Sequence, residues 1–187
     1  MTVEEAIGNR RTIRKFQQKA ISQEILLGLV NAARLAPSTS NLQPIKYKIV
    51  NEKSLVDALF PLVRWAAYIA PEGTPKEGEH PVAFIVVCDD TAIRKEGYET
   101  DAGAAIENLI LTAETEGIGV CWMGAVDRVK IHELLGLDKT MVIHTVLALG
   151  YKAEHPVLET AEATIKYYKD KDGTLHVPKR SLSSVLL

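Results

Sequence analysis

The order of apolar and polar positions divides the chain into short strands alternating with amphipathic helices, and the stretch from Asp101 to Gly124 shows this most plainly. Ala102, Ala105, Ile106, Leu109, Ile110 and Ala113 recur at helical spacing, with Ala104 and Leu111 widening the stripe. Asp101 is predicted to cap the first turn and Gly117 to take the left-handed exit. Ile118 to Met123, uncharged and next to that glycine, reads as a strand buried on both faces. A stripe this broad suits either a monomer's core or contact with a second copy of the chain, and the pattern alone leaves both open.

The rest follows the same grammar. Thr2 and Glu5 spell a capping box for a helix over Val3 to Gly8, and Ser22 caps a helix with Ile25, Leu26, Leu29, Val30 and Ala33 on one side, stopped at Ala36-Pro37. Tyr47 to Val50 has strand character and Ser54 to Leu62 helical character. Trp65 to His80 spells a short aromatic segment, Trp65 to Tyr68, followed by an exposed loop. Val82 to Cys88 is a strand closed by Asp89-Asp90, Asp127 caps a helix to Leu135 that Gly136 ends, and Met141 to Leu149 is a further strand. Past Glu154 the periodicity weakens, with a turn at Asp170 to Gly173 and an apolar end at Val185 to Leu187. At 187 residues the pattern fits one domain, 1–187, with 154–187 as a C-terminal arm that docks on its own core or on a partner.

Composition narrows the function classes. A net charge of −2 gives no general attraction to nucleic acid, no apolar run reaches membrane-spanning length, and Met1 to Asn9 lacks a signal-type apolar core, so a cytoplasmic location is expected. Cys88 and Cys121 sit inside apolar runs and read as inert thiols. Dinucleotide-fold and Walker loops, paired-cysteine and zinc-helix motifs are all missing, and the histidines are scattered. If the chain is an enzyme, the reactive group is a cofactor rather than a side chain.

Two segments carry candidate chemistry. Arg10 to Lys15 holds four cations in six positions, and Lys179-Arg180 supplies two more. Such forks suit a phosphate, although solvated charged loops account for the same letters. Pro37 to Pro44 offers hydroxyls and amides suited to a heterocycle's edge, or to ordinary turns.

Taken together, Arg10-Arg11-Thr12-Ile13-Arg14-Lys15-Phe16, Ala36-Pro37-Ser38 with Asn41, Gln43 and Pro44, Asp101 to Asn108, Gly119 to Gly124, Ala148 to Tyr151 and Val177 to Ser181 resemble the nitroreductase family of FMN-dependent oxidoreductases over nearly the whole chain. The resemblance implies an α+β fold with a central mixed β-sheet flanked by helices, a long central helix at a homodimer interface and an extended C-terminal arm. It implies two FMN sites, with NADH or NADPH as reductant and a nitroaromatic, quinone or similar small molecule as acceptor, served in turn by one site. Within the motifs, Arg10 and Thr12 look like phosphate ligands, joined by Lys179 and Arg180, and Arg14 like the cation at the flavin's pyrimidine edge. Pro37, Ser38, Thr39 and Asn41 would come from the other subunit. Gly124 and Ala125 would present amides near N5 and O4. Arg11, Gln43 and Met123 belong to the same motifs and are expected at the site. Other roles within the fold are dehalogenation, flavin fragmentation or flavin binding without turnover. The usual flavin-covering helices have no counterpart in Asp89 to Thr100, so the lid is expected to be absent or replaced by Arg64 to His80. The family's central asparagine and lysine near the flavin have no match in the sequence, and Arg64 is the candidate substitute.

Overall fold

The computed structural model describes residues 1–187, the side chain of Ala67 excepted. Four strands form the central sheet: β1 (Ile45–Val50), β2 (Ala83–Asp90), β3 (Ile118–Met123) and β4 (Met141–Tyr151), in the order β1-β2-β4-β3. All three ladders are antiparallel, and the mixed character enters through a parallel bridge from Thr12 to Val120 at the β3 edge. Alternation along β2 explains its unbroken apolar run. Ala83, Ile85 and Val87 face one layer, while Phe84, Val86 and Cys88 face the other.

The first layer is built by α2 (Gln23–Arg34) and α4 (Glu99–Thr115), whose Leu26, Leu29, Ile106 and Leu109 are buried against the sheet. α3 (Lys53–Leu59) and α5 (Arg128–Leu135) cover the second through Val56, Leu59 and Ile131. α1 (Val3–Asn9) is fixed by the Thr2–Glu5 capping box, and Ser22 and Asp127 cap α2 and α5 as the sequence predicts. Gly117 and Gly136 take positive φ after their helices.

One charged position departs from expectation. Asp101 is not the cap of α4; the helix starts earlier, at Glu99, and Asp101 is buried in its first turn. Asp89 and Asp90 end β2 as its last two residues, Asp89 paired with Ile45 of β1 and Val142 of β4, and Asp90 with Met141 at the start of β4.

The arm forms a small second sheet, with β5 (Val157–Thr160), β6 (Tyr168–Lys169) and β7 (Leu175–Lys179) in the order β5-β7-β6. Here the His176 ring bridges two carboxylates, Glu159 at 3.0 Å and Asp170 at 3.1 Å, and stacks on Tyr168. Asp170 and then Glu159 hold its pKa above the ordinary imidazole value. Lys169 ties the arm to the body by donating to the Glu72 carbonyl at 3.0 Å.

Candidate active site

The segment between α1 and α2 reaches the sheet because two glycines leave room for it. Gly119 on β3 and Gly150 on β4 are direct register partners. An added Cβ at Gly119 would stand 2.7 Å from Ile13, and one at Gly150 2.7 Å from Phe16. Ile13 and Phe16 therefore lie buried across this glycine pair, and Ile13 N–H donates to the Val120 carbonyl at 3.1 Å. Docked this way, residues 10–16 deliver Arg14 into a cavity of about 620 Å³.

That cavity gathers Arg14 with Met123, Gly124 and Ala125 from the end of β3, and with Phe60, Arg64, Trp65 and Tyr167. Arg14 Nε and Trp65 Nε1 are buried there without a hydrogen-bond partner among the described residues. Buried donors left unmatched are costly, so a site lined by them suits a ligand with acceptors. The Arg14 guanidinium lies 5.0 Å from the Tyr167 ring centroid, and its backbone N–H donates to Glu154.

The turn after β3 is held from behind. Arg128 donates to the carbonyls of Gly124 at 3.1 Å, Ile143 at 2.9 Å and His144 at 2.9 Å, and Thr145 Oγ1 donates to Met123 O. Arg64 N–H donates to Ala125 O at 3.0 Å, so the Arg64 segment runs beside this turn.

The other predicted positions lie elsewhere in the subunit. Arg10 Nε stands 3.7 Å from Glu107 on α4, while Thr12 bridges Val120. Arg11 turns inward: it is buried, donates to the carbonyls of Gly8 and Arg10, and has its pKa lowered by burial and then by Arg10. Pro37, Ser38 and Gln43 line a separate recess of about 190 Å³ together with Asp101 and Tyr47, where burial pushes the Tyr47 phenol up to about 12. Thr39 binds Asp101, and Asn41 accepts from the Gln43 amide at 3.2 Å. Lys179 ends β7, and Arg180 lines a recess of about 420 Å³ formed within the arm. Both thiols are buried, and burial pushes Cys88 up to about 12 and Cys121 to about 11.

A buried carboxyl stands behind the turn. At the β2–β4 bulge His144 comes within 3.9 Å of Asp89, both of whose oxygens lack hydrogen-bond partners among the described residues. Burial, then Glu99 and Asp101, push Asp89 from 3.8 up to about 7, so the folded protein keeps a proton that the unfolded chain has released. Stability therefore falls as pH rises through that window, at about 1.4 kcal/mol per pH unit and by up to about 4 kcal/mol in all. Thermal melts should show Asp89→Asn matching wild type near about pH 4 and exceeding it near about pH 8. Parallel melting curves at both pH values would show that this carboxyl is ordinary.

The Nitroreductase family model matches residues 7–151. The chain belongs to the nitroreductase family. A Methanothermobacter thermautotrophicus protein provisionally named NADH dehydrogenase/NAD(P)H nitroreductase is 30% identical over 161 residues, covering 83% of this chain and 80% of its own. An Archaeoglobus fulgidus protein of the same name is 33% identical over 152 residues, covering 78% and 82%. A crystal structure from Desulfovibrio desulfuricans, provisionally named a nitroreductase and solved in complex with FMN, matches with a TM-score of 0.74 at 23% identity, over 100% of this chain and 96% of that one. At that identity the likeness speaks for the fold, which is the nitroreductase α+β arrangement.

Within this nitroreductase fold the cavity walls from Phe60 and Tyr167 were missed by sequence reasoning, whereas Trp65 lies in the Arg64 to His80 stretch named as a replacement lid. The one legible signal for Tyr167 was the aromatic pair Tyr167-Tyr168 in the arm.

Proposed function

We propose that the chain is an FMN-dependent oxidoreductase that draws on NADH or NADPH and passes electrons to a nitroaromatic, quinone or similar acceptor by a ping-pong mechanism. The observation that carries this reading is the cavity in which Arg14, with its unmatched buried Nε, meets the Met123–Ala125 turn between aromatic walls. A flat ring with acceptors along one edge fits that donor set; the FMN bound in the Desulfovibrio protein supports the cofactor, and the names of the archaeal relatives support NADH or NADPH as reductant.

When bound, FMN supplies the hydride acceptance and onward electron transfer that no side chain here offers. The chain's own part is placement and charge. Arg14 would hold the pyrimidine edge and favour negative charge there. Gly124 and Ala125 would turn backbone amides to the ring, with Arg128 and Thr145 fixing the turn. Arg10 and Thr12, with Lys179 and Arg180, are assigned to the phosphate, and Pro37, Ser38, Thr39, Asn41 and Gln43 to the cofactor of a second subunit. Arg11 keeps the α1 end in shape behind them. Pyridine nucleotides as reductant agree with a cytoplasmic location, and among the described residues no helix is long and apolar enough to cross a membrane.

The purified protein is expected to be yellow and to bleach under NADH or NADPH, with parallel double-reciprocal lines. Arg14→Met, which keeps the stem and drops the charge, should retain some FMN while its flavin potential falls and its reduction slows. An unchanged potential in a loaded variant would remove Arg14 from the ring edge, and a wild-type protein that cannot be loaded with FMN would remove the reading altogether.

A homodimer is part of the proposal. Leu35, Leu182, Val185, Leu186 and Leu187 are exposed, and a recess of about 370 Å³ opens between α1, α2 and α4, lined by Met1, Val3, Leu35 and Leu111. Apolar surface gathered this way suits a second copy, and such obligate interfaces run to roughly 2,000 Å² or more. Sedimentation at low micromolar concentration should return the mass of two chains. A folded, flavin-loaded monomer would contradict it.

A further inference from the structure

We propose that Asp101 is a positioning residue that holds the Ser38–Gln43 loop in a strained shape for cofactor contact, with Arg94 as its ion-pair partner. The inference rests on the reading above, in which this loop faces FMN. Asp101 is a charged side chain with only 4% of its surface exposed. Its place in the first turn of α4 would let it serve the helix's free amides, yet it makes no cap there. Its Oδ1 instead accepts from Thr39 N–H at 3.1 Å and from Thr39 Oγ1 at 3.0 Å, and its Oδ2 meets Arg94 at 3.3 Å.

The loop needs such a hold. Ser40, Asn41 and Gln43 have φ of 52°, 56° and 53°, a region that serine and glutamine adopt only when the surroundings impose it. Ser38 Oγ accepts from Gln43 N–H at 3.1 Å and closes the loop on itself. Closure sets its girth but not its position. Position comes from the two bonds to Asp101 at the start and from Asp90 N–H donating to Pro44 O at 2.9 Å at the end. The residues between are exposed and, Leu42 apart, polar, so burial of the loop itself does not fix them.

The counter-charge is built in as well. Arg94 comes from the short connection between β2 and α4, the stretch without lid helices. Gly97 there has φ of +72°, and an added Cβ would stand 2.7 Å from the Arg94 guanidinium, so the connection is shaped around it. Taking a carboxylate out of water is unfavourable unless it is paired and hydrogen-bonded, and both conditions are met here. A loop with no more than a linking task has no use for an anchor of this kind.

The test compares FMN release from the holoprotein on dilution, read as recovered flavin fluorescence, with the melting temperature of each variant. Asp101→Ala is expected to release FMN at least tenfold faster. Asp101→Asn keeps an acceptor for both Thr39 donors but loses the charge that pairs with Arg94, and should release FMN more slowly than Asp101→Ala. Thr39→Val, which loses only the hydroxyl, should fall between them and keeps the inference testable if Asp101→Ala does not fold. Release at the wild-type rate from folded Asp101→Ala or Thr39→Val would overturn the positioning role, as would an Asn variant no better than Ala. A wild-type protein that holds no FMN would remove the cofactor reading and this inference together, whereas wild-type retention with equal release overturns the inference alone.

Discussion

Gly150→Ala is expected to cost the folded protein about 3 kcal/mol and to loosen its cofactor at the same time. The new methyl would stand 2.7 Å from Phe16 Cβ and 2.8 Å from its ring, and neither atom is at the end of a flexible chain. Phe16 is fully buried, so it cannot swing into solvent without giving up its packing. Relief has to come from the backbone of residues 10–16, which would strain the bonds from Gln17 N–H to Tyr151 O at 2.8 Å and from Ile13 N–H to Val120 O. Arg14 rides on that backbone, and Arg10 and Thr12 with it. Chemical denaturation and the FMN retained per chain should therefore fall together. A variant within about 1 kcal/mol of wild type and fully loaded would show that the segment can shift without harm.

Arg10→Ala is the second large effect. In the proposed site its guanidinium meets the phosphate in a charge-assisted contact, worth on the order of 2 kcal/mol or roughly thirtyfold in FMN affinity. Lys15 is the control. Its Nζ is paired with Glu79 at 3.1 Å, while Arg10 has only a loose 3.7 Å contact with Glu107 to give up. Equal FMN dissociation constants for Arg10→Ala and Lys15→Ala would show that the phosphate lies elsewhere.

What the sequence made legible was whatever is decided within a few residues. The caps at Thr2, Ser22 and Asp127 and the exits at Gly117 and Gly136 depend on hydrogen bonds between near neighbours, and each stands where the letters put it. The family, and with it the fold, followed from six ordered motifs. Asp101 was misread because its partners, Thr39 and Arg94, are tertiary; a carboxylate near a helix start looks like a cap whether or not it faces the helix. Arg14, Met123, Gly124 and Ala125 line one cavity because all four sit on or beside the β3 edge. Tyr167 could not be foreseen there. It lies on a segment without periodicity, and only the folded chain brings it into one cavity with Trp65.

The division of labour in that cavity has an evolutionary consequence. Arg14 and the Met123–Ala125 turn are fixed by the sheet, through the glycine pair and Arg128, so a substitution among them disturbs the core. Phe60, Trp65, Thr74 and Tyr167 reach the same cavity from connecting segments and the arm. Lineages can exchange those walls, lengthening or trimming the stretch around Trp65, while the sheet-borne half stays in register. Diversity among descendants of such a chain should therefore collect in what the cavity admits, and conservatism in what it holds.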